Sequence, residues 1–109
     1  MQIINLTPHD INVVKGDDDI VTFPRTGTVA RVAQSSSRIN MPGANVPFTR
    51  SAFGDVTDLP APAQDTYYIV SRMVADAAKD RTDLVVPNGL VRDDAGNIIG
   101  CQSLDLVNA

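Results

Sequence analysis

The chain has 109 residues, 43% of them apolar and 20% charged, which suits one domain with a single core and is too apolar for global disorder. A formal net charge of −4 argues against general attraction to nucleic acid or to an anionic membrane, and no apolar run approaches the ~20 residues of a membrane span. A single cysteine, Cys101, rules out an internal disulfide, and the N-terminus lacks the basic-then-apolar order of a secretory leader, so a cytoplasmic protein is expected.

Residues 1–33 read as strands. Ile11 and Val13 alternate with Asn12 and Val14, Lys15 to Asp19 is turn chemistry, and Ile20 to Phe23 returns, which predicts a hairpin over 11–23. Pro24 to Gly27 forms a second turn. Thr28 to Ala33 reads as a third strand, with Val29, Arg31 and Ala33 on one face and Ala30 and Val32 on the other.

Residues 34–66 are punctuated by Ser35-Ser36-Ser37, Pro42-Gly43, Pro47, Gly54 and Pro60-Ala61-Pro62. Short strands are expected near Arg38–Met41 and Val46–Ser51 within a long, loop-rich surface excursion. Such a stretch points to a functional loop, a partner contact or disorder.

Order returns over 66–109. Thr66 to Val70 has the β-branched and aromatic content of a strand. Ser71 is a good N-cap, and a helix is predicted from Arg72 to about Asp80. Its apolar stripe would be Met73, Val74, Ala77 and Ala78, with Arg72 and Asp76 paired outside it. Leu84 to Val86 reads as a buried strand ended by Pro87-Asn88-Gly89. Leu90–Arg92 and Ile98–Cys101 flank Asp93 to Asn97 as a final hairpin. The predicted class is α+β: antiparallel β hairpins with one principal helix after a central strand, all in a single domain over 1–109.

Little here points to catalysis. Cys101 and His9 are the one thiol and one imidazole, and sequence places them in unrelated segments, where Cys101 reads as a small hydrophobe and His9 as a turn residue. The Asp17–Asp19 and Asp93-Asp94 clusters lack the spacing and closing Glu of a calcium loop, since every one of the thirteen acidic residues is Asp, and they read as turns. No phosphate-binding glycine motif occurs. Neither a metal nor a cofactor is expected, and no catalytic residue is assigned.

Anion recognition has better candidates, because seven of the nine basic residues are Arg, whose planar fork matches phosphate. Val70-Ser71-Arg72 takes a strand into a helix start, where backbone N–H groups, the Ser71 hydroxyl and the Arg72 fork would converge; a plain N-cap beside a solvated Arg is the other reading. Arg81 closes the predicted helix, where a cation suits the dipole. Arg31 marks an edge, a partner contact or a pocket wall. Arg92, beside a hairpin turn, reads as exposed.

Several runs, in order along nearly the whole chain, resemble a family of small phage and prophage proteins. They are Ile3-Ile4-Asn5-Leu6-Thr7-Pro8-His9, then Pro24-Arg25-Thr26-Gly27-Thr28-Val29-Ala30-Arg31-Val32, then Phe53-Gly54-Asp55-Val56 with Leu59-Pro60. The last is Thr66 to Ser71 through Arg81-Thr82-Asp83-Leu84, Pro87 and Val91-Arg92-Asp93. The pattern is similar to the first-described anti-Thoeris sponge proteins. That resemblance implies a protein of the host bacterial cytoplasm that sequesters a cyclic ADP-ribose-like or cyclic nucleotide immune signal without cleaving it. It also implies a dimer or larger homo-oligomer with pockets near subunit boundaries.

The residue types such a ligand needs are supplied by Arg25, Arg31, Arg72 and Arg81 for phosphate, Tyr67 for a base, and Ser71 and Asn88 for ribose. No DNA, RNA or membrane partner is expected. A phage structural, assembly or protein-interaction module is the rival expectation. A cyclic nucleotide hydrolase with an Asp general base is a more distant one.

Overall fold

The computed structural model describes residues 1–16 and 19–108. Its elements are β1 (Gln2–Asn5), β2 (Ile11–Val14), β3 (Ile20–Phe23), β4 (Arg31–Ile39), β5 (Phe48–Thr57), β6 (Thr66–Ile69), α1 (Arg72–Ala77), β7 (Leu84–Arg92) and β8 (Ile98–Val107). The protein is mostly β, with one short helix and antiparallel hairpins.

Six strands form one sheet in the order β1-β6-β7-β8-β2-β3. The two predicted hairpins are present and antiparallel: β2 with β3, pairing Ile11 to Phe23 and Val14 to Ile20, and β7 with β8. Asp93 drives the second turn, its Oδ1 accepting from the N–H groups of Ala95 and Asn97 at 3.0 and 2.9 Å. For the first turn, Asp17 and Asp18 lie outside the described residues.

The joins between these units correct the antiparallel expectation. β1 with β6, β6 with β7, and β2 with β8 all run parallel. Hairpin chemistry is local and therefore legible, whereas the parallel joins link segments far apart in the chain, which turn residues do not encode.

α1 is shorter than predicted. Ser71 caps it as expected, its Oγ accepting from Val74 N–H at 3.2 Å. Its end comes at Ala78 rather than Asp80, because Asn108 reaches back from beyond β8. The Asn108 Nδ2 donates to the carbonyls of Ala75 and Ala78 at 2.8 and 3.2 Å, filling acceptors that a longer helix would use. The buried stripe is Val74, Ala75 and Ala78; Met73 and Ala77 are exposed. Arg72 does not pair with Asp76 but faces Asp105 of β8 at 3.6 Å.

α1 packs on one face of the sheet over Tyr68, Leu84, Val86 and Val107, with Val70, Leu6 and Ala30 completing the core. Alternation places Ile69 and Val85 on the opposite face, in register with Asn5. β7 runs straight through Pro87-Asn88-Gly89, which sequence read as a terminator. Past Val85 only β8 flanks it, so the proline's missing N–H leaves no donor lost on the other side.

The expected loop-rich excursion is instead a ribbon. β4 and β5 pair from Arg31 with Thr57 to Ile39 with Phe48, interrupted by a bulge near Ala33. Nearly all of its residues are exposed. The third strand therefore starts at Arg31, not Thr28. Ala30 is buried beside it and donates to the Leu6 carbonyl at 3.0 Å. With this arm the chain measures 56 × 40 × 26 Å. Among the described residues no helix is long and apolar enough to cross a membrane.

Candidate functional site

Several open clefts surround the described body, among them one beside Arg81, Asp55 and Ala77. The first lies where the chain after β1, the start of β4 and the start of α1 converge. Its floor is Leu6, Pro8, Val29 and Met73; Thr7, Arg31 and Ser71 supply polar groups, and its volume is about 240 Å³. Leu6 and Ala30 hold the wall in place through the backbone bond between them. Arg31 is exposed at the first position of the arm. Ser71 Oγ already accepts from Val74 N–H, which leaves its proton to donate outward.

On the other side of Met73, a second cleft is lined by Phe53 of the arm with Arg72, Met73, Asp76, Ala77 and Lys79 of α1 and its exit. Thus Arg31 and Ser71 share one cleft, and Arg72 stands at its neighbour. The helix is only six residues long, so its dipole adds little to the anion attraction that the strand–Ser–helix pattern suggested. Arg72 is further drawn toward the Asp105 carboxylate.

The other expected ligand residues do not join them. Arg25 is exposed in the turn after β3, where its backbone N–H donates to Asp10 Oδ1 at 2.9 Å. Tyr67 is half-buried on β6, paired with Ile3 on the face away from α1. Asn88 is exposed midway along β7, opposite Ser103.

Arg81 is committed elsewhere. Its Nε and one terminal nitrogen donate to the two oxygens of Asp83 at 2.9 and 2.8 Å, and the guanidinium sits 6.0 Å from the Tyr68 ring centre. The hydrogen bond to Asp83 raises its pKa further above the usual arginine value, with partial burial opposing. A guanidinium held this way is a structural cation rather than a free phosphate fork.

The third cleft was not legible in sequence. It gathers His9, Asp10, Ile11, Asn12, Pro87, Leu90, Ile98, Ile99, Gly100 and Cys101 in a volume of about 390 Å³. His9 and Cys101, assigned to unrelated segments, therefore share a cleft through the parallel β2–β8 join. Cys101 is buried, as expected of a small hydrophobe, and its thiol faces the Asn12 carbonyl at 3.5 Å.

Comparison of the chain with family models, with curated proteins and with solved structures gives no match.

Proposed function

We propose that the protein binds a small anionic, nucleotide-derived signal of the cyclic ADP-ribose-like or cyclic nucleotide class and holds it without cleaving it. The observation that carries this reading is the convergence of Arg31 and Ser71 on the apolar wall of Leu6, Pro8, Val29 and Met73. A cationic fork and a hydroxyl beside an apolar face are what a phosphate-bearing ring with an attached base requires. Arg72, one residue beyond Ser71, stands at the neighbouring cleft and faces Asp105.

At about 240 Å³ this cleft falls below the ~300–1,000 Å³ of ordinary ligand sites, so a second subunit would complete the enclosure. The reading is therefore of a homo-oligomer, working on an α+β frame with α1 as its principal helix. The sequence resemblance to anti-Thoeris sponges supplies the ligand class and the setting, a phage protein in the host bacterial cytoplasm.

The experiment is to incubate the protein with cyclic signals made by bacterial TIR enzymes, remove free ligand, heat-denature, and identify what is released. Intact ligand supports sequestration. A converted product would replace this reading with a hydrolase, and an empty supernatant would remove ligand binding from the account.

A second reading, a phage assembly or protein-interaction module, is favoured by the β4–β5 arm, which leaves Phe48 and Phe53 exposed. Under that reading the same experiment releases nothing.

A further inference from the structure

We propose that the β4–β5 arm of one copy docks into the β2/β7–β8 cleft of a second copy, the two exchanging arms as a closed two-fold dimer. This is compatible with either reading of function and shares only the expectation of a homo-oligomer with the first; the arm and cleft variants are read by mass, whereas sequestration is read by ligand release.

The arm is not self-sufficient. A two-stranded ribbon is marginally stable in water when it has no further cover. Its strands of 9 and 10 residues run about 30 Å at ~3.3 Å per residue, and only the half nearest the body meets the rest of the fold, with Val56 packed against the core and Phe53 lining the cleft beside α1. The radius of gyration is 17.3 Å, against about 13 Å for a compact domain of this length. Toward the outer end Phe48, Met41 and Val46 are exposed as well.

Charge selects the occupant. The arm, residues 31–57, carries Arg31, Arg38 and Arg50 against Asp55, a charge of +2. The rest of the chain has six basic and twelve acidic residues, a charge of −6. Two arms would repel each other, whereas an arm and a body attract. A second copy supplies that body at equal abundance, and reciprocal exchange closes the assembly without leaving a free arm.

The receiving cleft has the matching character. Leu90 and Ile98 are 57% and 55% exposed, with Ile99 beside them, an apolar floor left open by the described residues of the same chain. Asp10 lines it, and Asp94 is exposed at the adjoining hairpin tip. Phe48 would fill the apolar floor while Arg38 and Arg50 meet Asp10 and Asp94. A basic ribbon with aromatic side chains is also a shape that grips nucleic acid, but the strongly acidic body opposes that partner.

Sedimentation and light scattering of the full chain at micromolar concentration give the first readout. A mass of twice 11.6 kDa that falls toward monomer as salt rises is expected. Hydrogen exchange of the unaltered protein should show protection over 31–57 and 98–101 that grows with concentration, a readout that depends on no variant. An arm variant, Arg38→Asp with Arg50→Asp, and a cleft variant, Leu90→Asp with Ile98→Asp, should each be monomeric. Mixed together they should form a heterodimer, since one sound arm still meets one sound cleft.

A monomeric parent protein, a dimer that survives both variants, or protection elsewhere with no change at the arm would overturn the proposal. So would an arm that proves to retain short DNA or RNA while the mass stays monomeric.

Discussion

The side-chain amide of Asn5 donates to the Phe23 carbonyl at 2.8 Å, tying together β1 and β3, the two outermost strands of the six-stranded sheet. The same Nδ2 donates to the His9 carbonyl at 2.7 Å, and Oδ1 accepts from the Thr7 N–H and hydroxyl at 2.9 and 2.7 Å. Thr26 adds a bond from its hydroxyl to the Asn5 carbonyl at 2.9 Å. With every donor and acceptor of a buried amide used, this one side chain curls the sheet and fixes the Leu6–Pro8 wall of the first cleft.

Asn5→Ala should therefore destabilise the fold by about 2–4 kcal/mol, because buried partners lose their bonds together. Asn5→Asp keeps the shape but presents a carboxylate to two carbonyl oxygens. Burial without a cation favours its protonated form, so its folded pKa rises above the unfolded value. The penalty should then be largest at neutral pH and ease as pH falls. Urea titrations of both variants across pH check this. A flat profile for Asn5→Asp would show that the amide is not desolvated as described.

The opening Asn5-Leu6-Thr7-Pro8-His9 run was legible as a motif but not as this lock. Sequence shows residue types, and the lock depends on Phe23 arriving from the other edge of the sheet. Ser71 was legible as a cap because capping is local, and so was the Asp93 turn. The full lengths of β4 and β5 were hidden by Ser and Gly residues of low strand propensity on an exposed ribbon, where no apolar alternation is needed. Helix length was misjudged because Asn108, thirty residues downstream of Ala78, sets its end. Among the expected ligand residues, Arg31 and Ser71 converge, while Arg81 was captured by a neighbour two positions away, which its apparent place at a helix end concealed.

Gly100 lies where β8 passes β2. A Cβ built there would sit 2.7 Å from the Asn12 carbonyl oxygen and 3.1 Å from Val14 Cγ2. The carbonyl is backbone and cannot swing aside, so Gly100→Ala must part a join that rests on the pairing of Val13 with Cys101. Loss of about 1–3 kcal/mol is expected by thermal or urea unfolding. Gly16→Ala, where an added Cβ meets no described atom within 4 Å beyond its chain neighbours, is the control and should change stability by less than about 1 kcal/mol. Equal effects at both positions would mean that the strands separate freely at Gly100.

The Arg81 and Asp83 side chains are 15% and 14% exposed, so their bidentate pair is neither a surface ion pair nor a fully buried one. Arg81→Met should cost about 1–3 kcal/mol, between the values typical of those two cases. Arg81→Lys should not restore the loss, since an ammonium lacks the fork that spans both oxygens. Arg81 has its folded pKa raised, so its contribution is fully present below the unfolded arginine value and is lost only as pH climbs through the folded one. Because arginine titrates far above the neutral range, its own titration leaves stability level between about pH 5 and 9. Full rescue by Lys would show that simple charge, not geometry, holds this turn.

Arg31 is the residue on which the ligand reading turns. It is exposed, and none of its side-chain atoms is held by a neighbouring carboxylate among the described ion pairs, so its fork is available to a phosphate. Removing a charge-assisted hydrogen bond typically loses about 1.5–3 kcal/mol, so Arg31→Ala should weaken binding of a cyclic ADP-ribose-like ligand by roughly 10- to 150-fold. Arg72→Ala should lose less, because Asp105 already competes for that guanidinium. Arg92→Ala is the control: its side chain donates to the Gly96 carbonyl at 2.9 Å in an exposed hairpin tip and does not line the first cleft. Calorimetric titration of the three variants ranks them, and unfolding curves show whether each remains folded. The expected order of loss is Arg31, then Arg72, then Arg92. Equal small losses at all three would indicate diffuse electrostatics, and an unchanged affinity in Arg31→Ala would move the ligand away from this cleft.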